Sequence, residues 1–219
     1  MMKTFLTRLG AFLGVVSFSV LVACAGHIQY ETTHQPPMVS LLRLQDSVVS
    51  VRTEVGLCSG WVDKTAHKVF TAAHCFGFHK GDAIVTFNNG EQHLYTTEKV
   101  SEDQVDSKTD HAILVQKNHE EIIHYPEGLP ICHHKPYYAE PLVEMGNPLG
   151  VQQVMYFGSV ANPDTPDGIV VDITMFPGNS GGPMIDMNEG CVMGSAEMAR
   201  IAVEGVPLGV NYAAPVDNF

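Results

Sequence analysis

The chain has 219 residues, of which 45% are hydrophobic and 16% charged; that is enough apolar material for a packed core, and it excludes a disordered composition. The formal net charge is -12, from 24 acidic and 12 basic residues. A field of that sign repels nucleic acid, and no cluster of Lys or Arg overrides it, so nucleic acid is excluded as a partner.

The first segment is a targeting signal rather than part of a fold. Lys3 and Arg8 supply a positive start, and Leu9 to Val22 is almost entirely apolar. Leu21-Val22-Ala23-Cys24 follows and resembles the bacterial lipobox, in which the cysteine becomes the new N-terminus and carries lipid on its sulfur. Two other readings stand beside it. Ala23-Cys24-Ala25 also fits ordinary signal cleavage after Ala25, and an uncleaved anchor is the third, although the run is shorter than the roughly 20 residues a spanning helix needs. The lipobox reading is preferred because it fits at every position. It makes residues 1–23 a lipoprotein-type signal peptide and Cys24 the lipidation site. The mature protein is then held to a membrane by acyl chains, on the periplasmic or extracellular face of a bacterial envelope; otherwise it is simply secreted.

Residues 24–40 read as a tether, polar from Gly26 to about Met38 with Pro36-Pro37 near its end. Leu41-Leu42-Arg43-Leu44 reads as a short helix or as the start of the fold. Beyond it the chain is a series of short apolar or alternating runs: Ser47 to Val55, Val69 to Thr71, Ala83 to Phe87, His111 to Val115, Val143 to Met145, Val154 to Phe157, Ile169 to Ile173, Pro183 to Ile185, Cys191 to Ser195 and Gly209 to Ala213. Turn formers such as Asn88-Asn89-Gly90, Gly146-Asn147-Pro148 and Asn188-Glu189-Gly190 separate them. Many short strands with regular turns predict an all-β sandwich or barrel.

Cysteines Cys24, Cys58, Cys75, Cys132 and Cys191 support export. With Cys24 lipidated or removed, four remain in a compartment that permits disulfides, and the sequence alone leaves all three pairings open.

Three segments carry chemistry: Thr71-Ala72-Ala73-His74-Cys75, then Asp110-His111-Ala112-Ile113-Leu114, then Pro177-Gly178-Asn179-Ser180-Gly181-Gly182-Pro183. They resemble the histidine, aspartate and serine motifs of the chymotrypsin/trypsin family, in that family's chain order. The chemistry explains the residue types. A serine hydroxyl needs a base to attack a carbonyl, neutral histidine suits that role, and a buried carboxylate orients the ring. The resemblance covers about residues 45 to 219. It implies two packed antiparallel six-stranded β-barrels, at 41–128 and 129–219, with the site in the cleft between them. It also implies His74, Asp110 and Ser180 as catalytic triad, the backbone amides of Gly178 and Ser180 as oxyanion hole, polypeptide substrates and no cofactor. Asp106 is the rival for Asp110.

The resemblance further implies a Cys58–Cys75 disulfide beside the histidine, which leaves Cys132 and Cys191 as the second pair. It places the substrate pocket near Thr174 and near Ser195, Ala196 and Glu197. With Thr rather than Asp at the pocket base, a preference for Lys or Arg is not expected; a small or medium apolar side chain is. Asn179 stands where vertebrate digestive members have an Asp that pairs with a new N-terminus, so no such activation is expected. Val143 to Gly150 and Leu208 to Pro215 resemble stretches of bacterial high-temperature-requirement proteases. Those enzymes usually continue into PDZ domains, and this chain stops at Phe219, so gating by such a domain is not expected.

His119 and His124 bracket two glutamates but are five apart, not the four that zinc proteases need on a helix face, and adjacent His133 and His134 point to opposite sides of a strand, so no metal is expected. The functional expectation is a secreted or lipid-anchored serine endopeptidase acting through an acyl-enzyme on Ser180. The alternative is a catalytically silent or latent binding module of the same fold.

Overall fold

The computed structural model describes residues 38–65, 67–104, 107–118, 125–197, 202–203, 206–207 and 211–216. The signal segment, Cys24, Asp106 and His119–His124 lie outside them. A short helix, α1, runs Met38–Gln45, so helical structure begins inside the segment expected to be tether. It buries Leu41 and packs Leu44 against the core.

The first closed barrel has strands β1 (Val48–Arg52), β2 (Leu57–Val62), β3 (Val69–Thr71), β4 (Asp82–Thr86), β5 (Gln92–Val100) and β6 (Ala112–Gln116), hydrogen-bonded in the order β1-β2-β3-β6-β5-β4. The second has β7 (Pro141–Gly146), β8 (Val154–Thr165), β9 (Gly168–Val171), β10 (Pro183–Asp186), β11 (Val192–Glu197) and, after the small hairpin of β12 (Ala202–Val203) and β13 (Val206–Pro207), β14 (Asn211–Pro215), in the order β10-β11-β14-β9-β8-β7. Both barrels are antiparallel throughout. Closure leaves neither sheet a free edge. Among the described residues no helix is long and apolar enough to cross a membrane.

Each barrel fills its interior from alternate strand positions. Val51, Val62, Val69, Val85, Tyr95 and Leu114 pack the first, and Leu142, Val160, Ile169, Val171, Met184 and Met193 the second. A third cluster joins them: Trp61 and Phe70 stack at 4.8 Å and pack with Leu129, Val143, Met145, Ile185 and Val192. Burying such aromatic side chains stabilises by roughly 1.5–3 kcal/mol each, which fixes one barrel against the other. The disulfides Cys58–Cys75 and Cys132–Cys191 both form. The first ties β2 to the turn after β3. The second anchors the segment entering the second barrel to β11.

Strand β5 was not expected. Its inward residues are His93, Tyr95 and Thr97, and its outward ones are mostly polar, so a search for apolar residues passes over it. The alternation is present but is carried by half-polar side chains that the barrel interior accepts.

Candidate active site

The turn after β3 is a short 3-10 segment, Ala73–Phe76, closed by Gly77 in the left-handed region, whose N–H donates to the His74 carbonyl. Asp110 lies between a second short turn, Ser107–Thr109, and β6, and is almost completely buried. Its carboxylate grips His74 twice. Oδ1 accepts from the His74 backbone N–H at 2.8 Å, and Oδ2 lies 2.5 Å from Nδ1. An ionised carboxylate only accepts, so Nδ1 carries the proton and Nε2 is left as the acceptor. The His74 side chain keeps 30% of its surface exposed while Asp110 keeps 8%, so the ring's free edge reaches solvent and its anchor does not.

Beside them, His111 is buried, and its Nε2 donates to the Pro215 carbonyl at 2.9 Å, joining β6 to β14 across the two barrels. Burial pushes its pKa down to about 4, so the ring is neutral at pH 7.

Ser180 sits in a tight loop, Pro177–Gly182, whose carbonyls are pinned one after another. Pro177 O accepts from Leu149 N–H (2.8 Å), Gly178 O from the Ser59 hydroxyl (2.7 Å), Asn179 O from Gly182 N–H (2.8 Å) and Ser180 O from Ser59 N–H (2.9 Å). The peptides among the described residues are trans, and in a trans peptide the C=O and the N–H point in opposite directions. Holding the Pro177 and Asn179 carbonyls therefore turns the Gly178 and Ser180 N–H groups away from the donors that pin those carbonyls. Neither N–H donates a hydrogen bond among the described residues.

Gly178 has φ +104°, and a Cβ there would fall 2.5 Å from Asn147 O and 3.0 Å from Leu149 N. Glycine is needed for both the dihedral and the space. A Cβ on Gly181 would fall 2.6 Å from Ala72 N, which shows how closely the serine loop abuts the segment carrying His74. The structure thus sets the serine loop against the segment that carries His74, and Asp110 holds His74 from the other side.

Ser59 and Asn147 have no role assigned from the sequence, and both hold this loop. The Ser59 hydroxyl donates to Gly178 O and accepts from Asn147 N–H at 2.7 Å, and its carbonyl accepts from the Thr71 hydroxyl. The Asn147 amide donates to Val49 O, while its oxygen accepts from Gln153 N–H. Asn147 was visible as part of the Gly-Asn-Pro stretch; Ser59, a small polar residue after a cysteine, carried no signal. Glu144 was also missed, although a carboxylate inside the apolar run of β7 was a signal. It is fully buried, accepts from the Asn179 amide at 2.9 Å, and its pKa is raised well above 4.5 by burial.

The pocket expectations need correction. Ser195 and Ala196 expose no side-chain surface. The Ser195 hydroxyl is turned inward to the Trp61 indole N–H at 3.4 Å, and the Ala196 backbone pairs with Gly181 and Gly182. Glu197 is nearly buried; of the four residues only Thr174 is exposed. Strand β11 is covered on both faces, so its residues pack rather than line a cleft.

Among the described residues, His134, Glu140 and Asp186 lie close enough to share a metal, but every carboxylate oxygen of the two acids already accepts a hydrogen bond. Glu140 accepts from His134 and from Tyr137 N–H, and Asp186 from the N–H groups of Asn188 and Glu189. The clusters that include Cys58, Cys75, Cys132 or Cys191 offer disulfide sulfurs, which are not thiolate ligands.

Two closed six-stranded antiparallel barrels packed together define the chymotrypsin-like fold class. The family model of the trypsin-like peptidase domain matches residues 58–194, more than half of the chain, and the chain belongs to that family, whose general activity is serine-type cleavage of polypeptides. Among solved structures the chain is similar to the serine endoprotease from Yersinia pestis, at 23% identity and a TM-score of 0.64, covering 81% of this chain and 61% of that one. At that identity the likeness is one of fold, and this chain spans about three fifths of that chain's length. Comparison with curated proteins gives no match.

Proposed function

We propose that the protein is a serine endopeptidase in which Ser180 is the nucleophile, His74 the general base and acid, and Asp110 the group that holds the imidazole. The observation that carries this is the His74–Asp110 grip together with the two outward N–H groups of the Ser180 loop. As Ser180 Oγ bonds to the substrate carbonyl carbon, its proton passes to His74 Nε2, and the carbonyl electrons move onto oxygen, where Gly178 and Ser180 N–H receive them. Collapse expels the amine, which takes the proton from His74. Water repeats the sequence on the acyl-enzyme and frees Ser180.

Substrates with apolar side chains near the scissile bond fit the surroundings. Thr174 is exposed and uncharged, and Leu149 and Phe176, which flank the Ser180 loop, are 74% and 41% exposed. Strict cleavage after Arg or Lys in a peptide library would reject this preference. The protein is further proposed to be exported and anchored through lipid on Cys24, a placement the two disulfides support. Membrane association that persists in a Cys24→Ser variant would argue against the anchor.

The central test is labelling by a fluorophosphonate probe. Labelling of the wild type that disappears in Ser180→Ala is expected. Well-folded wild-type protein that does not label would remove the reading.

A further inference from the structure

Glu144 lies on β7 directly beneath the Ser180 loop, and nothing in the proposed chemistry uses it. Its carboxyl is wedged where only glycines leave room. Cβ atoms on Gly146 and Gly182 would fall 2.6 and 2.9 Å from Oε1. Oε2 accepts from the Asn179 amide at 2.9 Å. The remaining two oxygens of this facing pair, Glu144 Oε1 and Asn179 Oδ1, are both buried without a hydrogen-bond partner. Unmet acceptors at such depth are costly.

Two acceptors cannot bond each other, and one proton changes that. A protonated carboxyl presents one acceptor and one donor, the complement of a primary amide, which presents one donor and one acceptor. Among the described residues no cation offsets the charge of an ionised Glu144: burial sets its preference, and the titratable group that feels it is the Tyr156 phenol, which faces it from β8. On the other flank, β10 places Met184 opposite, and the loop contributes Asn179. None of these neighbours carries a positive charge.

We propose that Glu144 is a positioning residue for the Ser180 chemistry: its carboxyl clamps the Asn179 amide from below and thereby holds the Gly178 and Ser180 N–H groups toward the cleft. This rests on the reading of Ser180 as nucleophile. The carboxyl acts in its protonated form, so the loop is secured by a neutral pair within the chain. The clamp reaches the chemistry through the backbone. Asn179 donates the peptide plane whose N–H belongs to Ser180, so turning that residue turns the donor.

The test uses Glu144→Gln, which keeps one donor and one acceptor, and Glu144→Met, which keeps volume and removes both. Each is followed by the rate of fluorophosphonate labelling, by kcat and KM on a peptide substrate, and by thermal unfolding against pH. Glu144→Gln is expected to label within about threefold of wild type. Glu144→Met is expected to label roughly 10- to 100-fold more slowly, with the loss in kcat rather than KM, a part of what one oxyanion donor contributes.

The folded carboxyl keeps its proton above the value at which the unfolded one releases it, near 4.5. The contribution of Glu144 to stability is therefore complete below that pH and falls as pH rises toward the folded value. Glu144→Gln has no such slope, so its melting temperature should gain on wild type from pH 4.5 upward. A folded Glu144→Met that labels at the wild-type rate overturns the proposal, as does a Glu144→Gln as slow as Glu144→Met. A melting-temperature gap that stays flat with pH overturns the protonated clamp, and this readout holds even where Glu144→Met does not fold. Wild-type protein that fails to label would instead remove the nucleophile reading, leaving the pH-dependent gap to report on Glu144 by itself.

Discussion

The two halves of the site are held by different physics. On the first barrel, a charge does the holding: one buried carboxylate grips His74 at its backbone and its ring, and a disulfide closes the neighbouring turn. On the second barrel, the loop around Ser180 is held by neutral hydrogen bonds to successive carbonyls, from residues as far away in sequence as Ser59. A charged grip on a ring fixes one tautomer. A row of pinned carbonyls fixes the direction of several amides at once. The first task needs one strong partner and the second needs many modest ones.

Four changes break or sharpen that comparison. The largest effect is expected from Asp110→Asn, which leaves the shape and changes which ring nitrogen carries the proton; kcat on a peptide substrate should fall by about 10⁴, with the fold unchanged by circular dichroism. A fall of tenfold or less would mean that Asp110 does not set the tautomer. Next is Gly178→Ala, whose Cβ meets Asn147 O at 2.5 Å. Displacing that amide should cost about 10²–10³ in kcat, and unchanged kcat would show that its N–H is not used.

Ser59→Ala removes a donor and an acceptor from the interior and leaves Gly178 O and the Asn147 N–H unmatched. A loss of about 1–3 kcal/mol is expected in denaturant unfolding; a variant as stable as wild type would mean that the loop does not depend on this serine. The smallest effect concerns His111. Its folded pKa of about 4 lies below its unfolded value near 6.5, so its contribution to stability is complete above 6.5 and is lost as pH falls toward 4. The melting temperature of wild type should drop over that window more than that of His111→Gln. Parallel curves would show that the ring's neutrality is not what joins β6 to β14.

The same contrast governs what could be read from the sequence. His74 and Asp110 lie in local motifs, each a histidine or aspartate beside a short apolar strand, and the structure hydrogen-bonds one to the other. Ser180 and Gly178 were singled out from a local motif in the same way. Ser59, Asn147 and Glu144 were not given roles, because their partners lie 30 to 120 positions away and only barrel closure brings them together. Of the pocket residues expected on β11, which lies between β10 and β14 in the barrel, Ser195 is buried and turns its hydroxyl to Trp61, a contact 134 positions away that only barrel packing creates. Short runs and turns pointed to an all-β fold and the family resemblance to two barrels; β2 was not among the expected runs, nor was β5, whose inward face is His, Tyr and Thr.

Ser59 also bears on how freely this protein can drift. Its side chain must give one proton, take another, and reach no further than a single carbon. Alanine loses both bonds, cysteine makes them weakly, and threonine adds a methyl group to a strand position with no exposed surface. No one-step replacement satisfies both partners, and changing Asn147 or Gly178 afterwards restores neither. Position 59 is thus a point where the site can be lost in a single step but not rebuilt around a different residue, so lineages that keep the chemistry are expected to keep this serine.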